Sequence, residues 1–91
     1  MRLKVYSIYD TAVGAYLRPF YARADGEAFR AFQKLALDST HEVGQTPEDY
    51  QLFFLSVFDD NAGVFGFDEE GPVSRVCICT ALEAIAQKIG R

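Results

Sequence analysis

The 91-residue sequence contains no tryptophan, one histidine, two cysteines and three prolines. Each scarcity removes a class of function. A nucleophile needs a positioned base, and His41 is the sole residue of the usual kind. It lies between Thr40 and Glu42 in a polar stretch where a solvated ring is the ordinary outcome, and nothing in the spacing supports a pairing with Cys77. Cys77 and Cys79 stand two apart on a predicted strand, which directs them to one face and makes them a poor disulfide pair. A zinc site would need further ligands, so reduced, partly buried thiols are expected. No apolar run approaches the about 20 residues a membrane span requires. The opening Met1–Tyr6 has no apolar signal core, so neither export nor membrane contact is expected. Gly63, Gly66 and Gly71 are too scattered for a phosphate-cradling loop, and no G-x-G-x-x-G or Walker string occurs. The acids Asp59, Asp60, Asp68, Glu69 and Glu70 lie in predicted turns, where carboxylates serve the backbone. The expectation is a protein that is not an enzyme, with no catalytic residues, metal or cofactor.

Lysine and arginine are missing from residues 35–70, which hold nine acids. Residues 1–34 carry six basic residues against three acids, and residues 71–91 carry three against one, so the net of −4 conceals a strong asymmetry. An anion-binding surface would therefore come from the N-terminal third, helped by the C-terminus. Attraction between the two halves, within the fold or across a dimer, explains the same asymmetry without a ligand. Composition is otherwise that of a globular chain, with 49% hydrophobic and 24% charged residues, and the length allows one domain over 1–91. Eight Phe and five Tyr partly offset the small core that such a length permits.

The pattern predicts the order ββαβββα, an α+β fold with a small antiparallel sheet, one main packed helix and a short C-terminal helix. Leu3, Val5, Ser7 and Tyr9 alternate with Arg2, Lys4, Tyr6 and Ile8 in a first strand over residues 2–9. Asp10–Gly14 is turn chemistry, and residues 15–23 resume an extended pattern, at a sheet edge because Pro19 cannot donate to a ladder. Asp25 is a plausible N-cap for a helix over 26–38, with Ala28, Phe29, Phe32, Leu35 and Ala36 inward and Arg30, Gln33 and Lys34 outward. Residues 39–49 form a polar connection ending in a tight turn at Pro47–Asp49. Residues 50–58 are apolar on both faces and predict a central strand, followed by a turn at 59–63, a return strand at 64–67, a surface connection and a strand over 73–79. Thr80 and Glu83 match a capping box opening a last helix whose stripe is Leu82, Ile85, Ala86 and Ile89, closed by Gly90.

One constellation has a physical basis for binding. Arg2, Lys4 and Tyr6 share a face of the first strand, and Tyr16, Arg18 and Phe20 share a face of its neighbour. If those faces coincide, the rings can stack on unpaired bases while the cations, joined by Arg23, Arg30 and Lys34, follow phosphates. The competing reading has one set packed beneath the helix and the other in cross-strand pairs.

Lys4-Val5-Tyr6-Ser7-Ile8-Tyr9-Asp10 and Ala15-Tyr16-Leu17-Arg18-Pro19-Phe20 resemble the K-x-YS-x-YD … AY-x-x-PF opening of a small nonstructural protein of microviruses, single-stranded DNA phages, especially their gokushovirus branch. Gly26-Glu27-Ala28-Phe29-Arg30-Ala31-Phe32 is similar to its G-x-A-x-RAF helix, and Pro47-Glu48-Asp49-Tyr50-Gln51-Leu52-Phe53, Phe58-Asp59-Asp60 and Gly63 to its PEDY-x-LF … FDD-x-x-G segment. The likeness runs in order over residues 3–76 and leaves out 77–91. It implies a non-capsid phage protein of the host bacterial cytoplasm, described for the family as a DNA-binding protein of the switch from duplex replication to single-strand synthesis and packaging. It carries over no catalytic residues. The expectation is an accessory protein of viral DNA replication or packaging that binds single-stranded DNA weakly, as a homo-oligomer. The alternative is a protein-interaction module that recruits or inhibits a viral or host replication protein, or a capsid component, without touching DNA.

Overall fold

The computed structural model describes residues 1–89. Its elements are β1 (Arg2–Asp10), β2 (Ala15–Tyr16), β3 (Phe20–Ala22), α1 (Asp25–Ala36), α2 (Glu42–Gln45), a 3-10 turn (Pro47–Asp49), β4 (Tyr50–Asp59), β5 (Val64–Phe65), β6 (Phe67–Asp68), β7 (Gly71–Pro72), β8 (Val76–Thr80) and α3 (Ala81–Ile89). The fold is α+β with an antiparallel sheet, as the pattern predicts. β1 and β4 form its centre, with β2 and β3 on the outer side of β1, and β5 and β8 on the outer side of β4. β6 and β7 make a separate two-stranded ladder. The helices lie on one side, and the molecule measures 40 × 31 × 19 Å, the thickness of one sheet plus one helical layer.

The core follows from parity along the two long strands. Tyr6 and Ile8 of β1 and Leu52 and Tyr50 of β4 meet Ala28, Phe32 and Ala36 of α1 and Ala81 and Ala84 of α3. Small residues on the facing stripes let α1 and α3 approach closely, and the Gln33 amide donates to the Ala84 carbonyl at 2.9 Å between them. Gln33 is thus an interhelical tie rather than part of an outer face. Among the described residues, no buried side-chain nitrogen or oxygen lacks a hydrogen-bond partner.

Several local expectations need correction. Pro19 splits the second strand, so residues 15–23 form β2 and β3 with an irregular Leu17–Pro19 segment between them. Ala24 occupies the N-cap of α1 without a side-chain bond, while Asp25 is its first helical residue and accepts a hydrogen bond from the Tyr6 hydroxyl. The polar connection contains α2, capped by His41, whose Nδ1 accepts the Val43 N–H at 3.1 Å. Gly66, with φ of 95°, interrupts the expected return strand and separates β5 from β6. β8 begins at Val76, and a bulge at Ile78 sets Cys77 opposite Phe53 and Cys79 opposite Leu52, so the two thiols face opposite sides. Both are free, and Cys77 is exposed rather than partly buried. Partial loss of solvent around each sulfur, then the charge of Glu83, raises both thiols above their ordinary pKa, the more enclosed Cys79 to about 11.

The capping box is present as expected. The Thr80 N–H donates to Glu83 Oε1 at 2.8 Å and the Glu83 N–H donates to Thr80 Oγ1 at 3.1 Å. The apolar stripe of α3 is displaced, because Ala81 and Ala84 are buried while Leu82 and Ala86 are exposed. Gly90 and the side chain of Ile89 lie outside the described residues.

Tyr6 gives a pH signature. Burial, then the hydrogen bond to Asp25 and the nearby charges of Asp25 and Glu27, push its phenol well above the ordinary range. A group that resists ionisation only when folded stabilises the fold below its unfolded pKa of about 10 and loses that contribution as the pH rises further. Denaturant midpoints of the wild type are therefore expected to fall above that pH. Tyr6→Phe is expected to cost about 0.5–1.5 kcal/mol at neutral pH through the lost hydrogen bond, and to flatten the alkaline decline.

Candidate functional site: the helix-free face of the sheet

The hairpin constellation does not assemble on an open face. Tyr6 is fully buried, its ring stacked on Phe20 at 5.9 Å with an interplanar angle of 24°, and Phe54 meets it edge-on at 5.8 Å. Phe20 packs against the same core. A base cannot reach Tyr6 without displacing α1. On the Arg2-Lys4-Tyr6 face, Lys4 lies 3.8 Å from Asp25 and Arg2 lies 3.5 Å from Glu69. Arg23 pairs with Glu27 at 3.4 Å. Arg18 is exposed at the break between β2 and β3, and Arg30 and Lys34 are exposed on α1, on the layer opposite the free sheet face. The cations are thus distributed over several surfaces.

Tyr16 is the exception, and a one-residue slip is the reason. It pairs with Tyr9, whereas Phe20 pairs with Tyr6, so the second strand accommodates one more residue than β1 across this interval. The slip sends Tyr16 to the helix-free side while Phe20 stays beneath the helices.

On that free side the strands bring together a surface that spacing in one strand could not reveal. Tyr9 and Tyr16 have ring centroids 4.6 Å apart, and Phe53 meets them edge-on at 5.8 and 5.4 Å. The Arg75 guanidinium carbon lies 5.9 Å from the centroids of both Tyr16 and Phe53, within cation–π range. A second group continues the surface, with Phe58 6.2 Å from Tyr21 and 4.7 Å from Phe65. Tyr21 and Phe65 are each about half exposed, and the rings roof over Val5 and Ser7, which are buried although no helix covers them. A second bulge, at Leu55 of β4, keeps Ser56 and Phe58 on this side, opposite Val5 and Leu3. The middle of the face therefore presents apolar and aromatic side chains with Arg75 beside them, and the acids lie at the strand ends and in the turns.

Tyr9, Phe53 and Arg75 were not among the residues anticipated for binding. The signal for Phe53 was present in the two-sided apolar character of residues 50–58, since half of such a strand must face away from any single helical layer. Arg75 had no comparable signal, because its reach to Tyr16 spans three strands.

This surface offers flat π-systems and a cation, and so suits unpaired bases or another apolar protein surface. Among the described residues, no group of three or more His, Cys, Asp or Glu is placed to hold a metal ion, and no helix is long and apolar enough to cross a membrane. No curated protein and no solved structure matches the chain. The family model of the Phage ORF5 protein matches residues 3–84, a stretch that includes all of β1 but Arg2, the whole of α1, β4 and β8, and every ring of the free face, and the chain therefore belongs to that phage protein family.

Proposed function

We propose that the protein is a non-enzymatic, nonstructural accessory protein of a single-stranded DNA phage, acting in the host cytoplasm during viral DNA replication or packaging. It holds single-stranded DNA against the helix-free sheet face. The observation that carries this reading is the Tyr9–Tyr16–Phe53 cluster with Arg75 beside two of its rings. Sequence-tolerant stacking of bases on aromatic side chains, with cations following the backbone, is the common means of holding a lone strand. The chain's net charge of −4 makes the affinity of one copy small and strongly dependent on salt.

Fluorescence anisotropy of a labelled oligonucleotide at low and moderate salt tests the assignment. Tyr16→Ala is expected to weaken binding by about 1–3 kcal/mol, the cost of one lost stacking partner. Arg75→Ala is expected to weaken binding and to reduce the slope of log K against log salt by about 0.7, one phosphate contact to a single strand. Lys4→Ala, on the other side of the sheet and beside Asp25, is expected to leave affinity unchanged. Absence of binding at low salt, or binding indifferent to both Tyr16 and Arg75, would reject the assignment.

The acidic turns at 59–70 favour a second reading, a module that docks on a basic viral or host protein. A partner retained from infected cells after nuclease treatment would support it.

A further inference from the structure

The acids of the chain avoid two margins of the sheet. Residues 11–24, which include β2, β3 and the break between them, hold no Asp or Glu and carry Arg18 and Arg23. Residues 73–82, which lead into β8 and contain it, hold no acid and carry Arg75. The strand ends are the reverse. Asp10, Glu48 and Asp49 lie where β1 ends and β4 begins, while Asp59 and Asp60 lie where β4 ends, and Glu69 reaches Arg2 at that same end. Among the described residues Arg2, Lys4 and Arg23 are engaged by acids, whereas no acid pairs with Arg18 or Arg75.

Strand pairing sets those two arginines along one row across the sheet. Phe53 stands opposite Ser7 on β1 and opposite Cys77 on β8, two residues after Arg75. On the far side of β1 the Leu17 N–H donates to the Ile8 carbonyl at 2.8 Å and the Ser7 hydroxyl donates to the Leu17 carbonyl. Ser7 lies beneath the rings of the free face, so the chain just before Arg18 is fastened to that face at the level of Phe53. Tyr16 and Phe53 fill the space between, with the Arg75 guanidinium near both rings. From β8 to the β2–β3 margin is three strand spacings, roughly 14 Å, whereas β1, with nine residues, is about 30 Å long. A polyanion laid along β1 and β4 would pass acids at both ends, while one laid across them enters and leaves over acid-free margins.

We infer that a single DNA strand crosses the β-strands rather than following them, entering beside β8 at Arg75, stacking on Phe53 and Tyr16, and leaving past Arg18. This course rests on the single-strand reading of the face and adds to it a direction, a second phosphate contact and a length. The crossing is short and holds few nucleotides, at the lower end of the about 4–16 that one OB-fold domain occupies. The second ring group, Tyr21, Phe58 and Phe65, lies off the course, where Asp59 pairs with Val64 beside Phe65.

Competition by oligothymidylates of about 2 to 12 nucleotides against a labelled strand, with the full chain, tests the course. Affinity is expected to level off by about 4 nucleotides, apart from the statistical gain of added registers. Arg18→Ala alters an exposed side chain and is expected to reduce the slope of log K against log salt by about 0.7, and by about 1.4 when combined with Arg75→Ala. Tyr21→Ala and Phe65→Ala are expected to leave affinity unchanged, with circular dichroism checking that every variant is folded. Binding at no length would reject the single-strand reading and the course with it. Binding that needs Tyr16 and Arg75 would keep that reading and still overturn the course under any of three results. These are a salt slope unmoved by Arg18→Ala, an affinity that climbs steadily to the longest oligonucleotide, or a loss on removing Tyr21 or Phe65.

Discussion

Gly44→Ala is expected to lower folding stability by more than about 3 kcal/mol, at or beyond the upper end of ordinary overpacking. Gly44 needs no unusual backbone angle, and its constraint is proximity. A Cβ there would overlap the Asp38 carbonyl, lying 2.5 Å from its carbon, and would sit 3.0 Å from the Leu35 oxygen. These are backbone atoms at the end of α1, where the Asp38 N–H donates to Leu35 and the His41 N–H donates to Asp38. They cannot retreat without opening the last turn of α1 or lifting α2, which seats the fully buried Val43 in the core. Gly26→Ala is the internal control. It lies in the first turn of α1 with no atom within 4 Å of its Cβ position, and alanine there should stabilise by about 0.5–1 kcal/mol. Urea denaturation of the pair separates a steric demand from a general aversion to alanine. Equal stability of the two variants would contradict the close approach.

Phe32→Ala is expected to cost about 3–5 kcal/mol. Phe32 is fully buried, and its helical neighbours on the inward stripe are Ala28 and Ala36, which are too short to close over the void. α3 meets the same region through the equally short Ala81 and Ala84. In domains whose stability commonly totals about 5–15 kcal/mol, a loss of that size leaves a substantial unfolded population. Arg30→Ala, two residues away on the exposed side, should change stability by no more than about 0.5 kcal/mol. Similar denaturation midpoints for the two variants would place Phe32 outside the core.

How much of this was legible depended on whether the signal was local. β1, α1 and β4 emerge from alternation, helical spacing and an unbroken apolar run, and the Thr80–Glu83 box emerges from two residues three apart. α2 escaped because four residues carry no period, and its cap is a histidine rather than Ser, Thr, Asp or Asn. The candidate site was partly legible. Alternation correctly grouped Arg2, Lys4 and Tyr6, but it says only which side chains share a face, not which face receives the helices. The slip at residues 17–19 and the bulges at Leu55 and Ile78 then reversed parity in three places. No residue type announces such an insertion, which is fixed by pairing between distant strands. The expectation that Tyr16 and Phe20 lie together failed for that reason, as did the expectation for Cys77 and Cys79.

The slip between β2 and β3 also determines how much sticky area the molecule displays to the cell. A hairpin running without interruption would tuck Tyr16 inward with Phe20 and leave Tyr9 and Phe53 without a corner companion. A three-residue kink thus acts as a length gauge. Trimming one residue from it would turn a tyrosine outside in, and change what the exterior attracts without altering any side chain of the face itself.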